Sequence, residues 1–362
     1  MHTFRQLIEA AQPAASVIIS VALMLLSGFL MTRLTKLLRL PNVTAYIIAG
    51  ILIGPYCLDL VPQRIIDGTD FLSDIALAFI AFSTGEFFKL SVLKKSGMKV
   101  VWITLLEAFA ASAFVFVLTF FVFRLELAFS VVLAALASAT APAPTMMTIR
   151  QTKAKGDFVD TLLQVVALDD VVGLVLYSVA ISIALASLGG NGGFSYGTLV
   201  KPVLLNLAAL VLGGLVGLVM KLLMPAKRST DNKLIISVAL LFAFCGVCAM
   251  MEVSPLLGCM AMGTVYTNIA ENDKLFKQLG YFSPPILLLF FVRSGMNFKL
   301  NALFSASGNL GGVPLIAVGV GYFLVRILGK YVGAWLGCAA VGKEKRTRNY
   351  LGLALIPQAG VA

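Results

Sequence analysis

Apolar residues run through this chain in long blocks, and polar positions gather in short stretches between them. A hydrocarbon layer about 30 Å thick takes roughly 20 apolar residues as helix. On that measure the pattern predicts twelve crossings, near 15–38, 42–58, 70–88, 99–123, 127–149, 157–187, 198–223, 233–251, 254–270, 281–298, 312–340 and 349–362. The last block, LGLALIPQAGVA, is still apolar at Ala362, so the reading expects an unfinished helix and a C-terminally incomplete chain. Nothing before residue 15 has the charged start and small-residue cleavage site of a removed signal peptide.

Composition narrows the class. The 362 residues are 59% hydrophobic and 12% charged, against about 25% charged in a soluble domain. An all-α polytopic membrane protein follows, in a single transmembrane domain over 1–362. The charges present are unbalanced, 28 Lys and Arg against 17 Asp and Glu. In a soluble protein that excess suggests nucleic acid; here its position decides. Twenty of the 28 cations fall in alternate connections, Arg33–Arg39, Lys89–Lys99, Arg150–Lys155, Lys221–Lys233, Lys274–Lys277 and Lys343–Arg348. The other connections hold five: Arg5, Arg64, Arg124, Lys201 and Lys299. Positively charged loops stay inside, which puts the cation-rich side in the cytoplasm and the N-terminus outside. Nucleic acid drops out as a partner, and the lipid bilayer takes its place.

Cysteine and histidine offer little chemistry. The five cysteines lie in apolar surroundings, and Cys245 and Cys248 form their CxxC inside the helix-like run LLFAFCGVCAMM. They read as small packing residues. A single histidine, His2, excludes His-based catalysis and a His metal site. With no nucleophile motif or nucleotide loop either, an enzyme is not expected.

Ionisable residues inside the apolar blocks are the informative ones, since each costs about 2.5–3.5 kcal/mol near a bilayer centre on insertion scales. Asp169 and Asp170 stand together in the middle of TLLQVVALDDVVGLVLYSVAISIAL. Neighbours on a helix point about 100° apart, so one carboxylate can face a cation while the other faces a cavity. Such a pair can exchange protons or bind a hard cation. Arg326 and Lys330 are four apart and share a helix face. Lysine can give up its proton and arginine effectively cannot, which makes Lys330 the switchable partner and Arg326 a permanent structural charge. Arg293 reads as a structural pairing as readily as part of an ion path. Asp74, Glu86, Glu107 and Glu252 read as helix–helix pairs or interface groups.

Two blocks carry helix breakers. In VLAALASATAPAPTMMTIR, Pro142 and Pro144 follow Ser138 and Thr140; in LGLALIPQAGVA, Pro357 and Gln358 precede Gly360. Proline removes a backbone donor and frees a carbonyl of the preceding turn. Within a membrane such backbone is tolerated only when buried in protein or lining a cavity. The first break lies one block before Asp169–Asp170 and the second one block after Lys330. Matched breaks in two halves point to a transporter site near the midplane. A gated channel or a proton-driven solute carrier are the other transport readings.

Taken in order, RLPNVTAYIIAGILIGP, AFIAFSTGEFF, SATAPAPT, ALDDVVG, LFFVRSGMNF, ILGKYVGAWLG and LALIPQAGVA resemble the cation–proton antiporter superfamily, in its double-aspartate branch of sodium/proton and potassium/proton exchangers. The resemblance implies an inverted-repeat fold of thirteen spans, twelve present here, with two crossing broken helices. It implies core bundles near 70–187 and 281–362, a dimerisation bundle from the remaining spans, and a homodimer in a bacterial inner membrane. Any regulatory C-terminal domain lies outside this chain. By the same resemblance Asp170, Asp169 and Thr140 are the ion- and proton-binding set. Asp170 takes Na⁺ or H⁺ in turn, and Thr140 adds an oxygen or steadies the broken ends. Asp169 pairs with Lys330 in one state, and Pro142, Pro357 and Gln358 form the crossover. Arg293, Arg326 and Glu86 are possible structural charges, Arg293 standing where an uncharged residue is expected. No cofactor is implied, since Na⁺ or K⁺ and H⁺ are transported. The double aspartate with Lys330 is compatible, within that family, with two protons per cation. A K⁺/H⁺ antiporter or ligand-gated K⁺ efflux system is the alternative.

Overall fold

The computed structural model describes residues 2–38, 40–86, 88–90, 97–187, 196–225, 227–251, 253–270, 274–298, 309–310 and 312–358. Glu252, Gly360 and the cations Arg39, Lys94, Lys95 and Lys299 lie outside them. The helices in order are α1 (His2–Ala10), α2 (Pro13–Leu37), α3 (Asn42–Ile53), α4 (Gln63–Gly68), α5 (Phe71–Gly85), α6 (Met98–Phe116), α7 (Leu127–Ser138), α8 (Pro142–Thr152), α9 (Asp157–Ser187), α10 (Tyr196–Leu223), α11 (Thr230–Met250), α12 (Leu256–Ile269), α13 (Lys274–Phe282), α14 (Pro284–Met296), α15 (Leu315–Ala340) and α16 (Lys345–Ala354). A π-helical turn, Val117–Val122, extends α6, and a two-residue antiparallel ribbon pairs Asn309 with Pro314 ahead of α15.

Prolines begin helices here more than they interrupt them. Pro13, Pro142 and Pro284 are the first residues of α2, α8 and α14, and Pro41, Pro62, Pro255 and Pro314 stand just before α3, α4, α12 and α15. The missing N–H of proline is no loss in a first turn, whose donors have no intrahelical partner.

Among the described residues six helices are long and apolar enough to cross a membrane, α2, α6 with its π turn, α9 over Asp157–Ile181, α10 over Leu204–Leu223, α11 and α15, or seven if the bent pair α13–α14 is one span. They match six of the twelve expected crossings. The other six blocks hold shorter or broken elements. Block 42–58 yields the 12-residue α3, which rises only about 18 Å. Blocks 70–88 and 254–270 likewise give the short α5 and α12, and block 281–298 gives α14, joined to α13 at a 47° bend. Block 127–149 divides into α7 and α8 around extended residues 139–141. In block 349–362 the helix starts earlier, at Lys345, ends at Ala354, and leaves 355–358 non-helical. Apolar character alone does not distinguish a full crossing from two half-helices meeting at a break.

Apolar side chains point outward as well as inward. Ile18, Leu30, Trp102, Phe121 and Val211 are all more than half exposed, as suits helices facing lipid. Inside, α2–α5 and α14 share one apolar core, α5 and α10–α13 a second, and α6, α9, α15 and α16 a third.

The most extensive helix pairing is α6 against α15. Gly329, Gly333 and Gly337 repeat every four residues along one face of α15 and meet Ala111, Glu107 and Ile103 of α6. Small residues at this spacing let two backbones approach within side-chain distance. A Cβ at 333 would stand 2.5 Å from the Glu107 Cα. Gly333→Leu is therefore expected to separate the pair and lower stability by about 3 kcal/mol, measurable as a fall in thermal stability of the purified protein.

Candidate functional site

The tight α6–α15 contact sets the site. α7 ends at Ser138, and Ala139 and Ala141 take extended backbone before Pro142 starts α8. Proline disfavours helical backbone in the residue before it, so the chain opens ahead of Pro142 rather than at it. The last carbonyls of any helix lack intrahelical donors. Here four consecutive ones, Leu136 to Ala139, are met by side chains from elsewhere.

Gln358 Nε2 donates to Leu136 O (3.1 Å). Arg326 donates through Nε to Ala137 O (3.1 Å) and through a terminal nitrogen to Ala139 O (2.7 Å). The Lys330 ammonium donates to Ser138 O. Arg326 also donates to Ile356 O (2.7 Å), beside Pro357 in the second break. The Ala141 N–H donates to Pro357 O at 3.0 Å. The two breaks thus touch directly, and Arg326 ties both. A guanidinium presents several donors in a fixed plane, where an ammonium presents a single point. Arg326→Lys is expected to keep the charge, lose at least one bridge between the breaks, and lower stability by about 2 kcal/mol or more, read by thermal unfolding.

One turn on, Lys330 is fully buried and ringed by oxygen. Its ammonium donates to Thr140 Oγ1 (2.9 Å) and Asp169 Oδ2 (3.0 Å) besides Ser138 O. Glu107 Oε2 lies 2.7 Å away, and Lys330, Glu107 and Asp169 have side chains with 0% exposure. Thr140 donates in turn to Asp169 Oδ2 at 2.6 Å. The Thr140 hydroxyl is thereby engaged on both sides. α9 comes close to the break at Gly173, one turn past Asp169, where a Cβ would sit 3.3 Å from Ser138 Oγ.

Asp170 takes no part in the hydrogen bonds of this cluster. It is partly exposed and forms no hydrogen bond or ion pair among the described residues. Two adjacent carboxylates therefore differ sharply: Asp169 is held by Lys330 and Thr140, and Asp170 is open.

The other charges lie apart. Arg293, on α14, donates to Ile66 O (3.0 Å) and Ser73 Oγ (3.1 Å) and pairs with Asp70 (2.8 Å), tying α14 to the end of α4 and the start of α5. Glu86, past the end of α5, lines a groove with Phe276, Lys277, Gly280 and Tyr281. Glu107 belongs to the Lys330 cluster, which sequence reasoning had placed only among general helix–helix pairs. Its signal was the glycine spacing in ILGKYVGAWLG, which marks the face of α15 that receives another helix.

The sodium/hydrogen exchanger transmembrane family model matches residues 19–362. The fold resembles two structures of the sodium proton antiporter MjNhaP1 from Methanocaldococcus jannaschii. One, at pH 8, is 21% identical with a TM-score of 0.68 and covers 94% of this chain and 83% of that one. The other, from electron microscopy, is 18% identical with a TM-score of 0.75, covering 96% and 84%. A search of curated proteins finds no match. Members of this family are transporters rather than enzymes, and they carry no cofactor, the ions being substrates. With a matching model over nearly its whole length and the fold of a known antiporter, this multi-pass membrane protein belongs to the sodium/hydrogen exchanger family of cation/proton antiporters.

Proposed function

We propose that the protein exchanges a monovalent cation, Na⁺ foremost, for H⁺ at Asp170 by alternating access. The observation that carries this reading is the contrast between two adjacent carboxylates, one held by Lys330 and Thr140 and the other unpaired and partly exposed. A carboxylate that must be ionised to bind a cation cannot hold a proton at the same time, so arrival of one expels the other. Na⁺ is a hard cation suited to oxygen ligands, and Asp170 with water supplies them. Asp169 keeps Lys330 in this state and releases it as the site turns over. In this state the Thr140 hydroxyl serves this pair, and it becomes available as a further oxygen ligand when Lys330 is released.

The same reading takes the two touching breaks as the crossover of an inverted repeat. Segments 70–187 and 281–362 form the moving core, and the remaining helices form the scaffold of a homodimer. The cation-rich connections face the cytoplasm.

The direct test is full-length protein in liposomes, with collapse of an imposed pH gradient followed on adding Na⁺, Li⁺ or K⁺ separately. Na⁺-dependent proton movement is expected. Movement with K⁺ alone replaces Na⁺ as the substrate, and none with any of the three sinks the reading.

A further inference from the structure

The Lys330 ammonium has three N–H groups and four oxygens around it. Ser138 O, Thr140 Oγ1 and Asp169 Oδ2 take one hydrogen bond each. Glu107 Oε2 is near enough to pair but receives no hydrogen bond, and Oε1 receives none either. Asp169 Oδ1 is also buried and without a donor. Glu107 Oε2 and Asp169 Oδ2 approach the same ammonium within 3.0 Å, which makes the two carboxyl groups neighbours.

One ammonium faces two fully buried carboxyl groups here, and a buried anion whose charge and hydrogen bonds are not fully matched tends to neutralise. The charged and titratable groups facing Glu107 are few. α15 supplies Lys330 and, one turn away, Arg326; α9 supplies Asp169, with Asp170 behind it; the end of α7 supplies only a carbonyl and the Thr140 hydroxyl. Arg326 directs its hydrogen bonds to carbonyl oxygens and forms no ion pair with Glu107 among the described residues. With the three ammonium N–H groups taken by Ser138, Thr140 and Asp169, no hydrogen-bond donor is left over for a Glu107 anion among the described residues, only the ion-pair approach at 2.7 Å. A neutral Glu107 has a proton to give, and Asp169 Oδ1 is the acceptor without one.

We propose that Glu107 is a third carboxyl group of the exchange site, held as the neutral acid and donating its proton to Asp169. When the site turns over, that proton passes across. The O–H bond on Glu107 breaks, one forms on Asp169, and Glu107 is left as the anion that keeps Lys330. The ammonium thus changes partner without standing unpaired in the interior. The total charge of the three-residue cluster is unchanged by the swap. Glu107 acts through Lys330 and Asp169 and does not touch the cation, which makes it a positioning residue. The transport consequence rests on the exchange proposed above; the protonation state does not.

Two measurements test this on the full chain. Infrared difference spectra of the protein labelled with ¹³C-glutamate, wild type minus Glu107→Gln, are expected to show a protonated-acid C=O band that moves with the label. A carboxylate band in its place overturns the proposal. In liposomes Glu107→Gln, the neutral isostere, is expected to keep wild-type thermal stability and to leave the cation KM within about twofold. It cannot pass a proton, so turnover falls by about tenfold or more, and Glu107→Asp restores part of it. Unchanged turnover in Glu107→Gln overturns the proposal as well. If wild-type protein moves no protons with any cation, the exchange reading fails and the infrared result alone decides the state of Glu107.

Discussion

Asp170→Asn is expected to reduce cation-dependent proton movement to the background of protein-free liposomes while the protein stays folded. The amide has nearly the shape of the carboxyl group, yet it neither takes up a proton near neutral pH nor neutralises a cation. Both halves of the exchange are lost together. Stability should change by no more than about 0.5–1 kcal/mol, because Asp170 has no hydrogen bond or ion pair among the described residues to forfeit. The measurement pairs dequenching of a pH-sensitive dye with a thermal unfolding scan of the same preparation. Retained exchange would show that the ion is held elsewhere. A collapse of stability would show that Asp170 is a structural group.

Lys330→Ala is expected to do the opposite, with stability suffering first. Removing one partner from a buried charge cluster leaves the others uncompensated, typically at about 3–5 kcal/mol. Here the loss strands Asp169 and the Ser138 carbonyl together, both fully buried against the Lys330 side chain. The pairing also predicts its own repair. Asp169→Asn added to Lys330→Ala removes the stranded anion, so the double variant should be more stable than Lys330→Ala alone. Equal stability of the two would mean that the ion pair at 3.0 Å does not carry the effect. Such non-additivity is the signature of directly interacting residues.

How far the chain could be read from its letters depends on whether a feature is local. A run such as Pro13–Leu37 declares a membrane helix because twenty-odd apolar residues have few other uses. The double aspartate, Lys330 and Arg326 declared themselves in the same way, as charges where charge is costly. The half-helices declared themselves only through their prolines, because α7 with α8 has the apolar length of one crossing and just three non-helical residues, 139–141, mark the join. The join also lies before Pro142, since the backbone that opens is the one proline constrains from behind. Partners across the fold were least legible. One carboxylate in an apolar run, as at Glu107, does not say which way it faces. The Thr140 hydroxyl could serve an ion or a neighbouring side chain, and here it bridges Asp169 and Lys330. Arg293 found its partners, Ile66 and Ser73, more than 200 positions back along the chain.

The four carbonyls at the end of α7 have a consequence for how the protein is made. Their donors arrive late: Lys330 follows Ser138 by 192 positions, and Gln358 follows Leu136 by 222. At synthesis rates of about 5–20 residues per second, the first break waits roughly 10–40 s before α15 emerges. Over that interval its exposed backbone must be solvated by water or screened by the insertion machinery. The first half of the chain thus stays open at birth until α15, and after it Gln358, arrive to close the break.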